Sequence, residues 1–232
     1  YSTHFLRNIK ERTNEYWYNH FSTIGVVGMN EALLNFIGKD IGTKEGLEFA
    51  IDIMNYLRNI LVEFQNETGH FYNLEATPAE GTSYRLAKLD KERYPDIITA
   101  GHNVPYYTNS TQLPVNYTDD IFTAMELQDE LQSLYTGGTV QHLYLGESID
   151  DIEICKNLIK KIFTNFKMPY ISITPTFSIC KEHGYLKGEQ FKCPICNTKT
   201  EVWSRVTGYL RPVENYNVGK KEEYSERVKY RL

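Results

Sequence analysis

Residues 22–38, STIGVVGMNEALLNFIG, decide the fold class. A short run of β-branched and apolar residues reads as a buried strand, and its glycine, Gly28, leads into a helix that begins at Met29. The same succession recurs down the chain. Residues 43–69, TKEGLEFAIDIMNYLRNILVEFQNETG, carry apolar residues at helical spacing from Leu47 to Phe64 and end at Gly69. HFYNLEATP (70–78) is a strand by its aromatic and apolar content, running into a helix start in PAEGTSYRLAKLD (78–90). DDIFTAMELQDELQSLYTGG (119–138) is a second amphipathic helix, with Asp119 or Asp120 expected as N-cap and Gly137 as C-cap. TVQHLYLGE (139–147) reads as strand, SIDDIEICKNLIKKIFTNF (148–166) as helix and PYISITPT (169–176) as strand.

Strand and helix thus alternate roughly four times, which implies parallel strands joined by right-handed crossovers: an α/β sheet or part of a barrel. Ligands of such folds sit at the carboxyl ends of the strands, so the turns after Ala76, Glu147 and Thr174 are the places to search. The connection 89–118, rich in Pro, Asn, Thr and Tyr, is long for a compact domain, and its aromatic content argues for an ordered, functional loop.

The bulk properties exclude several classes. The chain has 232 residues, 41% hydrophobic and 24% charged, with a formal net charge of −5. That length suffices for a sizeable core. Mild acidity argues against nucleic acid or an anionic membrane as main partner. No apolar run is long enough to span a bilayer. The amino terminus, YSTHFLRNIKERTNEYW, lacks a signal-peptide core, starts without a methionine and reads as amphipathic helix, as expected of part of a longer polypeptide.

Alternation stops after Phe177, where a cysteine-bearing module begins. CKEHGYLKGEQFKCPIC places Cys180 and His183 two residues apart, then Cys193 and Cys196 two residues apart after a gap of nine. Two ligand pairs on tight knuckles bring four soft or borderline donors round one tetrahedral ion, and zinc suits that set best. Four protein ligands close the site, so its role is structural. The spacing suits metal better than disulfides, which makes a cytoplasmic setting the default. The bland alternative is unligated surface cysteines with a chance histidine. Cys155 lies mid-helix and reads as a buried structural thiol.

RVTGYL (205–210) puts Gly208 in a stretch that otherwise reads as strand. A glycine there ordinarily marks a bulge, bend or close backbone approach.

With the metal module just before it, however, RVTGYLRPVENYNVGKKEEYSERV resembles the carboxyl end of the anaerobic, class III ribonucleotide reductases. FSTIGVVGMNEALLNF, EATPAEGTSYRLAKLD, YYTNSTQLPVNYTDD and LYTGGTVQHLYLGE resemble reductase segments in the same order. The resemblance implies that Gly208 carries a backbone radical, formed without oxygen by a partner that cleaves S-adenosylmethionine at an iron–sulfur cluster. It also implies an α/β fold: the second half of a ten-stranded barrel, a parallel half-barrel over 1–176, followed by a zinc module over 177–200 and a glycyl loop and tail over 201–232. Ribonucleoside triphosphates would be reduced to deoxyribonucleoside triphosphates, in a homodimer regulated by ATP and deoxynucleotide effectors bound elsewhere in the parent chain. His183 stands where the family usually has cysteine. A thiyl cysteine abstracts hydrogen from substrate in that family; none of the cysteines here matches it, so it is expected before Tyr1, and the segment alone should not turn over.

The turn ATPAEGTS would hold the substrate phosphates by the same resemblance, through Thr77, Ala79, Gly81, Thr82 and Ser83, with Pro78 in the first helical turn and exposed amides facing an anion. An ordinary capped helix is the plainer reading, and Glu80 is awkward beside a triphosphate. His102, Asn103, Asn109 and Ser110 are candidates to line a ribose site, and His142 reads as structural. Two other functions compete: another glycyl radical enzyme of the pyruvate formate-lyase type, and a non-catalytic zinc ribbon.

Overall fold

The computed structural model describes residues 5–231. An amino-terminal helix, Arg7–Thr13 (α1), buries no residue; residues 1–4 of the helical reading lie outside the described residues. The opening strand is Phe21–Gly25 (β1) and the helix after it Met29–Ile37 (α2). Gly28 turns the chain between them at φ 75°, and a Cβ there would press on Tyr107 Cβ and Cγ at 3.1 Å. Only glycine takes that conformation without strain.

Helix Lys44–Thr68 (α3) is bounded by local chemistry. The Thr43 side chain accepts from the Gly46 amide, and Gly69 at φ 71° closes the last turn, its amide bonded to the Gln65 carbonyl. One face of α3, with Ala50, Met54 and Leu61, packs on Leu33, Ile41 and Leu74. Each such buried Leu, Ile or Met side chain contributes about 1.5–3 kcal/mol. Strand Phe71–Glu75 (β2) runs parallel to β1, with Phe21 opposite Phe71 and Gly25 opposite Glu75.

Helix Glu80–Arg93 (α4) leads into the long ordered loop, which ends at helix Ile121–Ser133 (α5). Asp120, not Asp119, caps α5: its carboxylate accepts from the Thr123 amide at 2.6 Å. Gly137 is not the C-cap; the helix already ends at Leu134. Gly137 instead extends the sheet, its amide donating to the Leu74 carbonyl at 2.7 Å while the Ala76 amide donates to Gly138 at 2.9 Å. These bonds tie the first strand pair to the segment that leads into the second, Gln141–Leu145 (β3) and Ile171–Pro175 (β4), which are also parallel and joined by helix Ile152–Asn165 (α6). Cys155 is only half-buried on α6, less shielded than a core thiol. The expected α/β alternation is therefore present.

Side chains alternate across these strands. Leu74, Leu143, Leu145, Ile171 and Ile173 face the helices. By that alternation the opposite face carries Asn73, Glu75, His142, Tyr144, Ser172 and Thr174.

Residues 177–212 form one antiparallel sheet. Its strands are Phe177–Cys180 (β5), Gly184–Lys187 (β6), Glu201–Arg205 (β7) and Leu210–Pro212 (β8), in the order β6-β5-β7-β8. A last helix, Val218–Glu226 (α7), is capped by Asn217, and the chain then returns along β3, where the Tyr230 amide donates to the Tyr144 carbonyl at 2.9 Å.

Candidate active site and metal centre

The metal-type ligands converge through two turns. Cys180 and Gly184 are opposed at the end of the β5–β6 hairpin, so His183 falls inside its turn; Gly184 supplies the positive φ of 70°. The second knuckle is closed by the Asn197 amide on the Cys193 carbonyl at 2.8 Å. All four ligand atoms lie within 4.8 Å of one another. Cys180 Sγ is 3.7 Å from Cys196 Sγ and 3.7 Å from His183 Nδ1, and Cys193 Sγ is 3.6 Å from His183 Nδ1. A tetrahedron with Zn–S of about 2.3 Å and Zn–N of about 2.0 Å has S–S edges near ~3.8 Å and S–N edges near ~3.5 Å. Both the donor set and its spacing therefore fit a metal such as zinc, with Nδ1 as the histidine donor.

Gly208 is not inside a strand, contrary to the reading of RVTGYL. Strand β7 ends at Arg205, β8 starts at Leu210, and the residues between form a hairpin tip closed by the Val206 amide on the Tyr209 carbonyl at 2.9 Å. Gly208 is exposed there, and a Cβ added to it would have no atom within 4 Å beyond its own chain neighbours. Its carbonyl accepts from Arg205 Nη1 at 2.9 Å, while Arg205 Nε donates to Thr174 Oγ1 at 3.1 Å. The end of β4 thus supports the tip from below.

The turn 76–83 lies against the same tip. Thr207 Oγ1 donates to Glu80 Oε1 at 2.8 Å, and Asn217 Nδ2 donates to the Glu80 carbonyl at 3.0 Å. Ala79 is the N-cap and offers no side-chain bond, so the first-turn amides at Gly81 and Thr82 remain for another acceptor. Pro78 precedes the helix and is not within its first turn. Thr82 and Gly81 are exposed, whereas Ser83 is buried with its hydroxyl turned to the Glu80 carbonyl at 3.3 Å. Thr77 packs over Gly25, where a Cβ would collide with it.

The loop candidates divide. Asn109 joins Thr207, Tyr144 and Glu223 around a small cavity under the tip, and Ser110 Oγ donates to the Thr77 carbonyl at 3.4 Å. His102 and Asn103 lie elsewhere: their amides donate to Glu222 at 3.0 and 2.6 Å. The Asn103 amide foremost, with those of Val104 and His102, holds Glu222 below the usual carboxylate range. His142 faces Ser172, Nδ1 to Oγ 2.7 Å. Burial first, then the Arg205 and Arg227 charges, lower its pKa to about 4, so the ring is neutral.

Sequence reasoning missed the charged interior of α7. Lys220, Glu223 and Arg227 are almost wholly enclosed, and Glu223 pairs with both cations, with Arg227 Nη2 at 2.9 Å. Burial alone would raise Glu223, but Lys220 and Arg227 hold it below the usual carboxylate range.

A family model described as anaerobic ribonucleoside-triphosphate reductase matches residues 1–230. The chain belongs to that family. The reductase of Haemophilus influenzae is 27% identical over 224 residues, covering 90% of this chain and 31% of the relative. That of bacteriophage T4 is 27% identical over 223 residues, 90% of this chain and 34% of the relative. The chain thus spans about a third of the reductases it matches. A solved anaerobic ribonucleotide reductase superposes with a TM-score of 0.77 at 26% identity, over 100% of this chain and 39% of that one. The Thermotoga maritima enzyme with glycerol in its active site gives 0.73 at 25% identity, over 96% and 38%. These relatives favour the reductase reading over the pyruvate formate-lyase type and over the zinc ribbon. No helix among the described residues is long and apolar enough to cross a membrane.

Proposed function

We propose that the chain is the radical-bearing part of an anaerobic ribonucleoside-triphosphate reductase, with Gly208 as the radical site and turn 77–83 as the cradle of the substrate phosphates. The observation that carries this reading is the contact of Thr207 with Glu80, which sets the hairpin tip beside the amino-terminal turn of α4. Thr77, Ala79, Gly81, Thr82 and Ser83 are the cradle. The free amides of Gly81 and Thr82 and the Thr82 hydroxyl do the binding, and the inward-turned Ser83 shapes the turn.

Glycine suits the radical. Loss of one α-hydrogen leaves an electron shared between the amide nitrogen and the carbonyl, which requires a flat α-carbon with no Cβ to clash. A radical S-adenosylmethionine enzyme with an iron–sulfur cluster is the proposed partner that takes this hydrogen. None of the cysteines here is assigned to hydrogen abstraction from substrate: three are metal ligands and Cys155 sits on an outer helix. A separate thiol of the full enzyme fills that role. A structural zinc at Cys180, His183, Cys193 and Cys196 fixes the sheet from which the hairpin extends. The strands before it form a parallel half-barrel over 1–176, the metal knuckles occupy 177–200 and the radical hairpin and tail 201–232. A homodimer, effector sites in the rest of the enzyme and a reducing, cytoplasmic setting complete the proposal.

The test is paramagnetic resonance on the full-length polypeptide after anaerobic activation. The spin should appear as a doublet from the remaining α-hydrogen of Gly208 and collapse when deuterium replaces it. A spin located on any other residue would refute the assignment.

A further inference from the structure

We propose that Arg227 is a positioning residue for the Gly208 loop, an inference that rests on the radical reading above. The loop tip is held at few points: Arg205 on the Gly208 carbonyl, Thr207 on Glu80 and the Val206 amide on the Tyr209 carbonyl. No atom beyond its own chain neighbours lies within 4 Å of where a Gly208 Cβ would stand, and Tyr209 beside it is 67% exposed. With so few contacts of its own, the tip depends also on its root, and the root is where Arg227 reaches.

Arg227 follows directly on α7. Its side chain is 2% exposed. Nη1 donates to the Arg205 carbonyl at 3.1 Å and Nη2 to the Val206 carbonyl at 3.4 Å, the last two carbonyls before the tip turns. The guanidinium carbon lies 3.6 Å from the centre of the Tyr144 ring, on β3. Glu223 accepts from Nη2 at 2.9 Å and, through its other oxygen, pairs with Lys220. One planar cation thus joins the hairpin root, the central strand pair and the last helix.

Holding these parts together does not require charge. Two cations against one carboxylate leave this trio with a net positive charge, and apolar side chains of similar volume often match or exceed such a cluster in stability. The guanidinium provides directional bonds to two successive carbonyls with a flat face for the tyrosine, which neither lysine nor an apolar residue reproduces. Hydrogen-atom transfer needs that directional accuracy: reacting atoms must approach to about 3–3.5 Å, and a misplacement of about 1 Å can cost about a hundredfold in rate.

The experiment uses the full-length polypeptide with Arg227→Lys, which keeps the charge but loses the fork and the stacked face. Tyr144→Leu is the second variant; it removes the face, leaves the ion pairs, and carries the comparison if the lysine variant does not fold. Hydrogen exchange over residues 204–210 should rise at least about tenfold in either variant, with exchange in α3 and metal content unchanged. After anaerobic activation, spins per chain should persist while product per spin falls at least about tenfold. Wild-type exchange at 204–210 together with wild-type product per spin overturns the proposal. So does a parallel fall of spins, product and melting temperature, which marks a merely structural residue. Absence of any Gly208 spin in the wild type would instead defeat the radical reading, and the exchange data would still decide whether Arg227 holds the loop.

Discussion

Thr207 and Glu80 meet at 2.8 Å across 127 residues of chain, hydroxyl to carboxylate. The bond explains why a carboxylate can stand at the head of a turn suited to anions: its charge is engaged sideways by the loop next to Gly208. It also links the proposed phosphate turn to the hairpin that carries Gly208 in one contact.

Some like-charge repulsion should remain. In the full-length polypeptide, Glu80→Gln preserves an acceptor for Thr207 and removes the charge, so nucleoside triphosphate affinity should rise about 3- to 10-fold, from roughly 1 kcal/mol of relieved repulsion. Titration calorimetry at low salt would show it, and the gain should shrink as salt is added. Equal affinities at low salt would mean that Glu80 does not face the phosphates.

The protein should bind one zinc per chain. His183→Ala should weaken that binding at least about a hundredfold, whereas His183→Cys should retain it. A chelator should raise hydrogen exchange in β5, β6 and the Cys193–Cys196 knuckle before it affects α3. Metal analysis well below one equivalent in reduced protein would exclude the site as assigned.

His142 makes stability depend on pH. Its folded pKa, about 4 against 6.5 for a free imidazole, is depressed because burial and two nearby arginines disfavour the charged ring. The unfolded chain binds the extra proton first as pH falls, so the contribution is complete above pH 6.5 and is lost between 6.5 and about 4. The loss should run at about 1.4 kcal/mol per pH unit, roughly 3 kcal/mol in all. The stability difference between wild type and His142→Gln, from urea midpoints across that range, should carry this slope. A difference independent of pH would show that the ring protonates freely in the fold.

Gly208→Ala should leave the fold alone. With open space around the missing Cβ and no left-handed φ, its cost should stay within about 0.5 kcal/mol, and zinc content should not change. The glycyl doublet and deoxynucleotide formation by the activated full-length polypeptide should both vanish. Persistent product formation would reduce Gly208 to an ordinary hairpin residue.

Glu223→Gln should be far more damaging, because it leaves Lys220 and Arg227 buried without their shared counter-charge. A loss of about 3–5 kcal/mol is expected in thermal or urea unfolding. A loss below about 1 kcal/mol would mean that water reaches the cluster.

The sequence alone determined whatever depends on a few neighbouring residues. Gly69 ends α3, Asp119 or Asp120 starts α5, the paired knuckles announce a metal ligand set, and the alternation of patterns gives the α/β class. Each rests on a cap, a turn or a period whose physics is complete within one or two turns of chain. Tertiary structure decided the rest. Gly137 looked like a helix end, yet its amide serves β2, because a strand edge far back in the chain needed a donor. GKKEEYSER shows only mixed charges. It is buried because Glu223 within the stretch pairs with both cations, while the Tyr144 ring and the hairpin-root carbonyls, from other parts of the chain, receive Arg227. Asn109 and His102, alike in one polar loop, part company for the same reason: Asn109 faces the cavity beneath Thr207, while His102 is drawn to Glu222. Burial of charge and contact across 127 residues are properties of the folded packing, where desolvation and pairing are settled together.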